Sequence, residues 1–393
     1  YIINKSSIKE SMVVSKPNVY PLDMNATNDP GEIPEHENTR LCEYKLCDFW
    51  VSTAHNCCSG KSGYEGELSV DAMNECLHKG ARCLDFEIMS FRRVPHVVIA
   101  DSLTHNYKIS ANTIFFDDVC SEIRANAFVN GNTDPLFLHF RVMSSNINCF
   151  NEMANVIEER FKGLLLDDYG KNQTVHYGYE CSKNKPIEDS VNTTQLGDCE
   201  CHEAEYLNDN FGNIKMKCLQ SKIVIMVYSK DNFHRSTNLY KYTNISSNSP
   251  NMTIRRDNST TNVPGKVEQA NEHAVTYNQV AAETLDIASE KNKTSITYLA
   301  PYFSRYHYNL PGLIYLNHGC QFVGINYHNE DEQLKKYIAF FEKRRSSIIL
   351  KPGGNLRDKL IYEKPIQKQD PNLDTTPEVL EISPIDGETV EIT

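Results

Sequence analysis

The sequence lacks a basic surplus, a long apolar run and an apolar leader. Lys and Arg total 40 against 52 Asp and Glu, a net charge of −12 with a pI near 5.6. That balance excludes the basic footprint of a nucleic-acid-binding protein. It also opposes generic attraction to an anionic membrane, so any lipid contact has to be local and apolar. No stretch approaches the roughly 18 apolar residues of a spanning helix, so no transmembrane segment is expected. The opening residues Tyr1-Ile2-Ile3-Asn4-Lys5 do not read as a signal peptide. A small disulfide framework is missing too: the 13 cysteines are odd in number and scattered, which points to an intracellular, reduced compartment. The N-x-S/T triplets at Asn172, Asn192, Asn244, Asn251 and Asn258 sit in Asn-rich stretches, where they arise by chance.

What is present is enough apolar sequence, 40% of 393 residues, for one large domain with tails. The abundance of Asn, Ile, Lys and Tyr is compatible with an AT-rich genome such as that of a protist or a large DNA virus. Residues 1–40 are polar and rich in Asn and Pro, an extended arm. Phe49-Trp50-Val51 is an apolar run ending near His55. Ser69 as N-cap and Gly80 as C-cap bound a helix over 70–79. Strands are expected at 83–88, 97–100, 136–140, 222–228, 322–326 and 347–350. Helical spacing covers 115–128, 149–166 and 332–343. Residues 169–217 form a polar, Cys-containing insert, 231–295 a flexible linker rich in Asn, Ser and Thr, and 358–393 an acidic tail. Cys199-x-Cys201-His202 with Cys181 or Cys218 is either a loose zinc-ligand set or a group of scattered thiols.

Strand–helix alternation implies parallel strands with crossover helices. In a barrel of that kind chemistry gathers just past the strands' C-terminal ends. His55, Asp85, Glu87, Asp101 and Arg141 all fall at such positions. Asp85 and Glu87 point the same way on one strand, suited either to a metal or to an ion pair with Arg82 or Arg141. Phe91-Arg92-Arg93-Val94 follows the second strand at the barrel mouth. It reads as a basic-apolar contact for lipid headgroups or as an ordinary surface loop.

Several segments, taken together, are specific. They are Ala54-His55-Asn56, Gly80-Ala81-Arg82-Cys83-Leu84-Asp85-Phe86-Glu87, Phe116-Asp117-Asp118-Val119, Asp134-Pro135-Leu136-Phe137-Leu138 and Gly163-Leu164-Leu165-Leu166. They resemble the X region of phosphoinositide-specific phospholipase C. The run Asn317 to Asn326 and Ile349-Leu350-Lys351-Pro352 resemble its Y region. The resemblance implies a distorted TIM barrel built from an X half (41–168), a strand at 218–230 and a Y half (296–357). It further implies cleavage of phosphatidylinositol lipids with calcium, which lowers the pKa of the attacking hydroxyl.

Carried over by position, His55 matches the histidine that stabilises the scissile phosphate. Asn56, Asp85 and Glu87 match calcium ligands, with the two carboxylates' lengths swapped. Asp101 stands where the family's second, acid-catalysing histidine falls. Arg141 stands where the third acidic ligand falls. Lys222 matches one of two lysines that hold ring phosphates. A cation at Arg141 would repel calcium or replace it, facing the phosphate itself. The expectation is a degenerate barrel, weakly active or inactive, acting as a binding or structural module. The alternative is an active phosphodiesterase using Arg141 in place of calcium. The expected partners are a phosphoinositide headgroup and proteins held through the polar arms, with peripheral membrane contact or incorporation in a larger assembly.

Overall fold

Alternating side chains along short strands set up this fold. One set faces inward, and the other packs against helices. The structure, a computed structural model, describes residues 21–23, 41–100, 108–166, 211–247, 252–256, 285–301, 309 and 311–353. All of these fall in one unit, Tyr1–Asp358, and the remaining segment, Lys359–Thr393, lies outside the described residues.

Eight strands run parallel. They are β1 (Phe49–Ala54), β2 (Cys83–Phe91), β5 (Leu136–Val142), β6 (Ile223–Ser229), β7 (Ile245–Ser246), β8 (Met252–Arg256), β9 (Ile296–Ala300) and β10 (Phe322–Ile325). Their spatial order is β7-β6-β5-β2-β1-β10-β9-β8, so the last strand pairs beside the first and the ring follows chain order. Only β7 and β8 do not pair with each other among the described residues. This is a TIM-like barrel with one open seam. Three strands lie off the ring. β3 (Val94–Val98) returns antiparallel along β2, β4 (Ile114–Phe115) pairs with β3, and β11 (Ile348–Leu350) lies antiparallel on β1.

Helices α1 (Val70–His78), α2 (Phe116–Asn126), α3 (Ile147–Phe161), α4 (Leu285–Thr294), α5 (Gly312–Leu316) and α6 (Glu332–Lys343) complete the chain order. Helix α1 starts where expected, the Ser69 Oγ accepting from the Ala72 N–H at 3.1 Å. Gly80, at φ 88°, takes the left-handed turn after it. The outward residues of β2, β5 and β6 (Leu84, Phe86, Leu138, Phe140, Ile225, Val227) join the helices in one buried apolar cluster. Inside the ring the lower layer is apolar too, with Phe137 and Phe322 stacked edge-on at 5.0 Å.

Two expectations are corrected. The strand expected at 97–100 is the return arm of a hairpin and not a barrel strand, because only two residues separate it from β2, too few for a parallel crossover. The linker expected over 231–295 contains β7, β8 and α4. Its polar residues are used inside. The Asn244 Oδ1 accepts from the Ile225 N–H at 2.7 Å, and Ser246 and Ser247 hydrogen-bond buried histidines. Among the described cysteines, Cys42 and Cys218 are disulfide-bonded and eight others are free.

Candidate active site

The parallel register of β2 and β5 sets Asp85 opposite His139 and Glu87 opposite Arg141. Because side chains alternate, all four point into the ring. The end of β1 adds His55 and Asn56, the latter held at φ 44° with its N–H 3.2 Å from Asp85 Oδ2. From the opposite wall β9 contributes Tyr298. Gly324 on β10 leaves room for it: a Cβ there would meet the Tyr298 hydroxyl at 2.9 Å and His55 Cβ at 3.2 Å.

Arg141 organises the cluster. Its Nε donates to Asp85 Oδ1 at 2.9 Å and its Nη2 to Asp85 Oδ2 at 2.6 Å. Nη1 donates to Glu87 Oε1 at 2.5 Å, and Nη2 also to Asn56 Oδ1 at 2.7 Å. Four of the five guanidinium N–H groups are thereby taken by groups of this protein. The second Glu87 oxygen accepts the Ala100 N–H at 2.5 Å. Asp85 is shared further, with His55 Nδ1 and His139 Nδ1 each 2.8 Å from one of its oxygens. The Tyr298 hydroxyl lies 3.1 Å from His55 Nδ1, and His139 Nε2 is 2.9 Å from the Ser247 hydroxyl.

Burial dominates the electrostatics. Asp85 is fully buried, which pushes its carboxyl up. The Arg141 guanidinium, with His55 and His139, outweighs this and holds it well below the usual carboxylate range. Burial lowers both His55 and His139 in spite of Asp85, so each is neutral at pH 7. Arg141 is lowered by burial but raised further by Asp85 and Glu87, and remains charged. Tyr64 is buried beside the same charges. Tyr64, 1% exposed, donates to Asn326 Oδ1 at 2.6 Å and packs edge-on against His328 at 5.2 Å. The gap beside Asn56, Asp85 and Glu87 holds no water-sized space. A cavity of about 250 Å³ lies elsewhere, between α1 and the loop after β10, lined by Asp71, Glu75, His328 and Glu330 among others.

The structure thus brings together His55, Asn56, Asp85, Glu87 and Arg141. Of the two ways of reading the carboxylates, it has the ion pair, with Arg141 and not Arg82. The latter instead donates to the Ala127, Asp134 and Pro135 carbonyls. Lys222 is corrected. It sits just before Ile223, at the N-terminal end of β6 and the opposite end of the barrel from Arg141, so it cannot hold a substrate at this site. Asp101, the Cys199–His202 group and the acidic tail lie outside the described residues. His139 and Tyr298 are members of the cluster that the sequence reading missed. His139 was detectable, since it precedes Arg141 by two on one strand and therefore faces the same way.

The donor set does not fit calcium. Every side-chain oxygen a cation would use on Asn56, Asp85 and Glu87 is bonded to a group of this protein, chiefly the Arg141 cation. Among the described residues no group of three or more His, Cys, Asp or Glu is arranged to hold a metal ion.

The family model for the phosphatidylinositol-specific phospholipase C X domain matches residues 42–186. Over those residues the chain is similar to the phosphatidylinositol-specific phospholipase C family. Its similarity to the rat (Rattus norvegicus) 1-phosphatidylinositol 4,5-bisphosphate phosphodiesterase beta-4 is 26% identity over 143 residues, 36% of this chain and 12% of the relative. Among solved structures it is similar in fold to S. officinalis PLC21, with a TM-score of 0.52 and 18% identity over 79% of this chain and 37% of that one. L. pealei PLC21 gives 0.50 and 19%, over 79% of this chain and 38% of that one. The chain therefore spans little more than a third of the solved relatives and about an eighth of the rat one. No helix among the described residues is long and apolar enough to cross a membrane.

Proposed function

We propose that this phospholipase C barrel has had its catalytic centre converted into a closed polar core. On this reading the chain cleaves phosphatidylinositol lipids weakly or not at all and serves as a binding or structural module. The observation that carries the reading is Arg141. A cation that stabilises a phosphate needs free N–H donors aimed at it, and four of its five are already used by Asp85, Glu87 and Asn56. His55 is 5% exposed and tied through Nδ1 to Asp85, with the buried Tyr64 beside the same charges. Loss of a well-placed acid and of the metal removes on the order of 10²–10⁴-fold for the acid alone. The rat relative's name supplies the substrate class to test, a phosphoinositide. Partners held through the arms 1–40 and 358–393, and peripheral contact with a membrane or a larger assembly, belong to the same reading.

A second reading keeps the enzyme: Arg141 stands in for calcium, with His55 and Asp85 beside it. The convergence of these three within hydrogen-bond distance favours it. One assay separates the two. Release of soluble inositol phosphate from phosphatidylinositol and its phosphorylated forms is followed with calcium and with chelator, for wild type and His55→Ala. Equal, background-level release in all four arms is expected. Turnover that His55→Ala abolishes and chelator leaves intact would replace the first reading by the second.

A further inference from the structure

The hairpin joining β2 to β3 has a composition the barrel does not need. β2 pairs with its neighbour β5 only as far as Ile88, so Met89, Ser90 and Phe91 run on past the barrel wall, paired with β3 alone. The turn is Arg92-Arg93, with φ of 50° and 72°. Both central residues of a two-residue hairpin turn with positive φ favour Asn-Gly and disfavour long side chains. Strain kept at a surface turn points to a use for the side chains that impose it. Both arginines are exposed, and neither forms an ion pair with a described residue. Beside them, the pairings Phe91↔Val94 and His96↔Phe115 place four residues on one face of the ribbon. Rings stack along that face, Phe91 to His96 at 5.3 Å and His96 to Phe115 at 4.6 Å. Val94 is 39% and Phe115 54% exposed, two of the five large apolar side chains so exposed among the described residues.

We propose that this ribbon tip is a docking surface for an anionic lipid bilayer. The chemistry is that of an interfacial anchor: aromatic and aliphatic side chains at headgroup depth, flanked by two free arginines that meet lipid phosphates. An acidic protein partner fits less well. A stable protein interface needs about 800 Å² from each side, which a projecting turn and four side chains do not supply. A bilayer has no such requirement, since each inserted side chain contributes separately. The chain's net charge of −12 does not defeat the contact. At physiological ionic strength charges farther away than about 8 Å are largely screened, while the arginines at the tip act at contact. The inference does not depend on whether the barrel cleaves lipid.

The test is vesicle flotation of the full chain with phosphatidylcholine alone and with phosphatidylcholine containing one-third phosphatidylserine. No phosphoinositide is present, so the barrel site is not being probed. Flotation with the serine lipid only is expected, weakening as salt rises. The double variant Arg92→Asn/Arg93→Gly is expected to lose about five-fold in partitioning per arginine, roughly 25-fold together. Because Asn-Gly suits the turn, its melting temperature is expected to rise, which separates lost binding from lost folding. Phe115→Ser is expected to weaken flotation while leaving the salt dependence. Equal flotation with both vesicles, or an unchanged Asn-Gly variant, overturns the proposal. So does capture by polyglutamate without capture by vesicles, which would assign the tip to an acidic protein.

Discussion

His55 and His139 on one side and His234 on the other are buried in the same barrel and held by different means. His55 and His139 flank Asp85 in a cluster of real charges, where two carboxylates face one guanidinium. His234, behind β6, is held without charge: its Nδ1 lies 2.7 Å from the Ser229 hydroxyl and its Nε2 2.8 Å from that of Ser246. The first group stands or falls with a single cation. The second needs only hydroxyls at the right distance. A barrel interior therefore holds two buried carboxylates when one guanidinium bonds both from inside.

The sharpest way to break this contrast is Arg141→Leu. It strands Asp85 and Glu87 as buried carboxylates, and a loss of about 3–5 kcal/mol in denaturant-unfolding stability is expected. If stability were unchanged, the cluster would not be held together by that cation. The next effect is in pH. Burial lowers His234 to about 3, so the unfolded chain binds a proton there below about pH 6.5 that the folded chain does not. Stability accordingly falls as pH drops through that window, by about 1.4 kcal/mol per unit from this one residue. His55 and His139, also lowered, add in the same direction. Asp85 adds in that direction as well: its depressed carboxyl contributes stability above about pH 4, lost as pH falls through its folded value. Melting curves from pH 7.5 down to 4.5 on wild type and His234→Asn are expected to show a shallower slope for the variant.

Smaller again is Ser247→Ala, which removes the hydroxyl 2.9 Å from Nε2 of His139, the histidine whose other nitrogen lies against Asp85. A cost of about 1–3 kcal/mol is expected for the orphaned ring nitrogen. A value near that of Arg141→Leu would show that the hydroxyl network and the charged centre are one unit. The smallest effect concerns the surface. Arg160 bonds both oxygens of Asp117 between α3 and α2, yet both are partly exposed. Asp117→Asn is expected to change stability by less than about 1 kcal/mol, measured by the same denaturation.

The sequence was most legible where alternation and chemistry coincide. Strand ends carrying His55, Asp85, Glu87 and Arg141 stood out because charged residues interrupt apolar runs at the period of a strand. It was least legible where a polar residue is buried for a structural reason. Asn244, Ser246 and Ser247 look like linker residues until β5 and β6 are placed beside them. Tyr298 lies outside the two Y-region segments that carry the resemblance, and the space above Gly324 explains its position. The β2–β3 hairpin was missed because Arg92-Arg93 carries none of the Asn or Gly that marks such a turn. Lys222 was misplaced because the family match was followed over strand position: the strand expected at 222–228 already puts it at the N-terminal end, away from Arg141.

The pairing of β10 with β1 has a consequence for how such a barrel is carried. The Lys351 N–H donates to the Asp48 carbonyl at 2.8 Å, so the chain enters and leaves the ring at one point. A unit with adjoining entrance and exit behaves as a cassette. It can be spliced into a host loop, or reopened elsewhere and rejoined there, without altering the ring. The seam between β7 and β8, where no strand pairing would be cut, is the natural place for new ends.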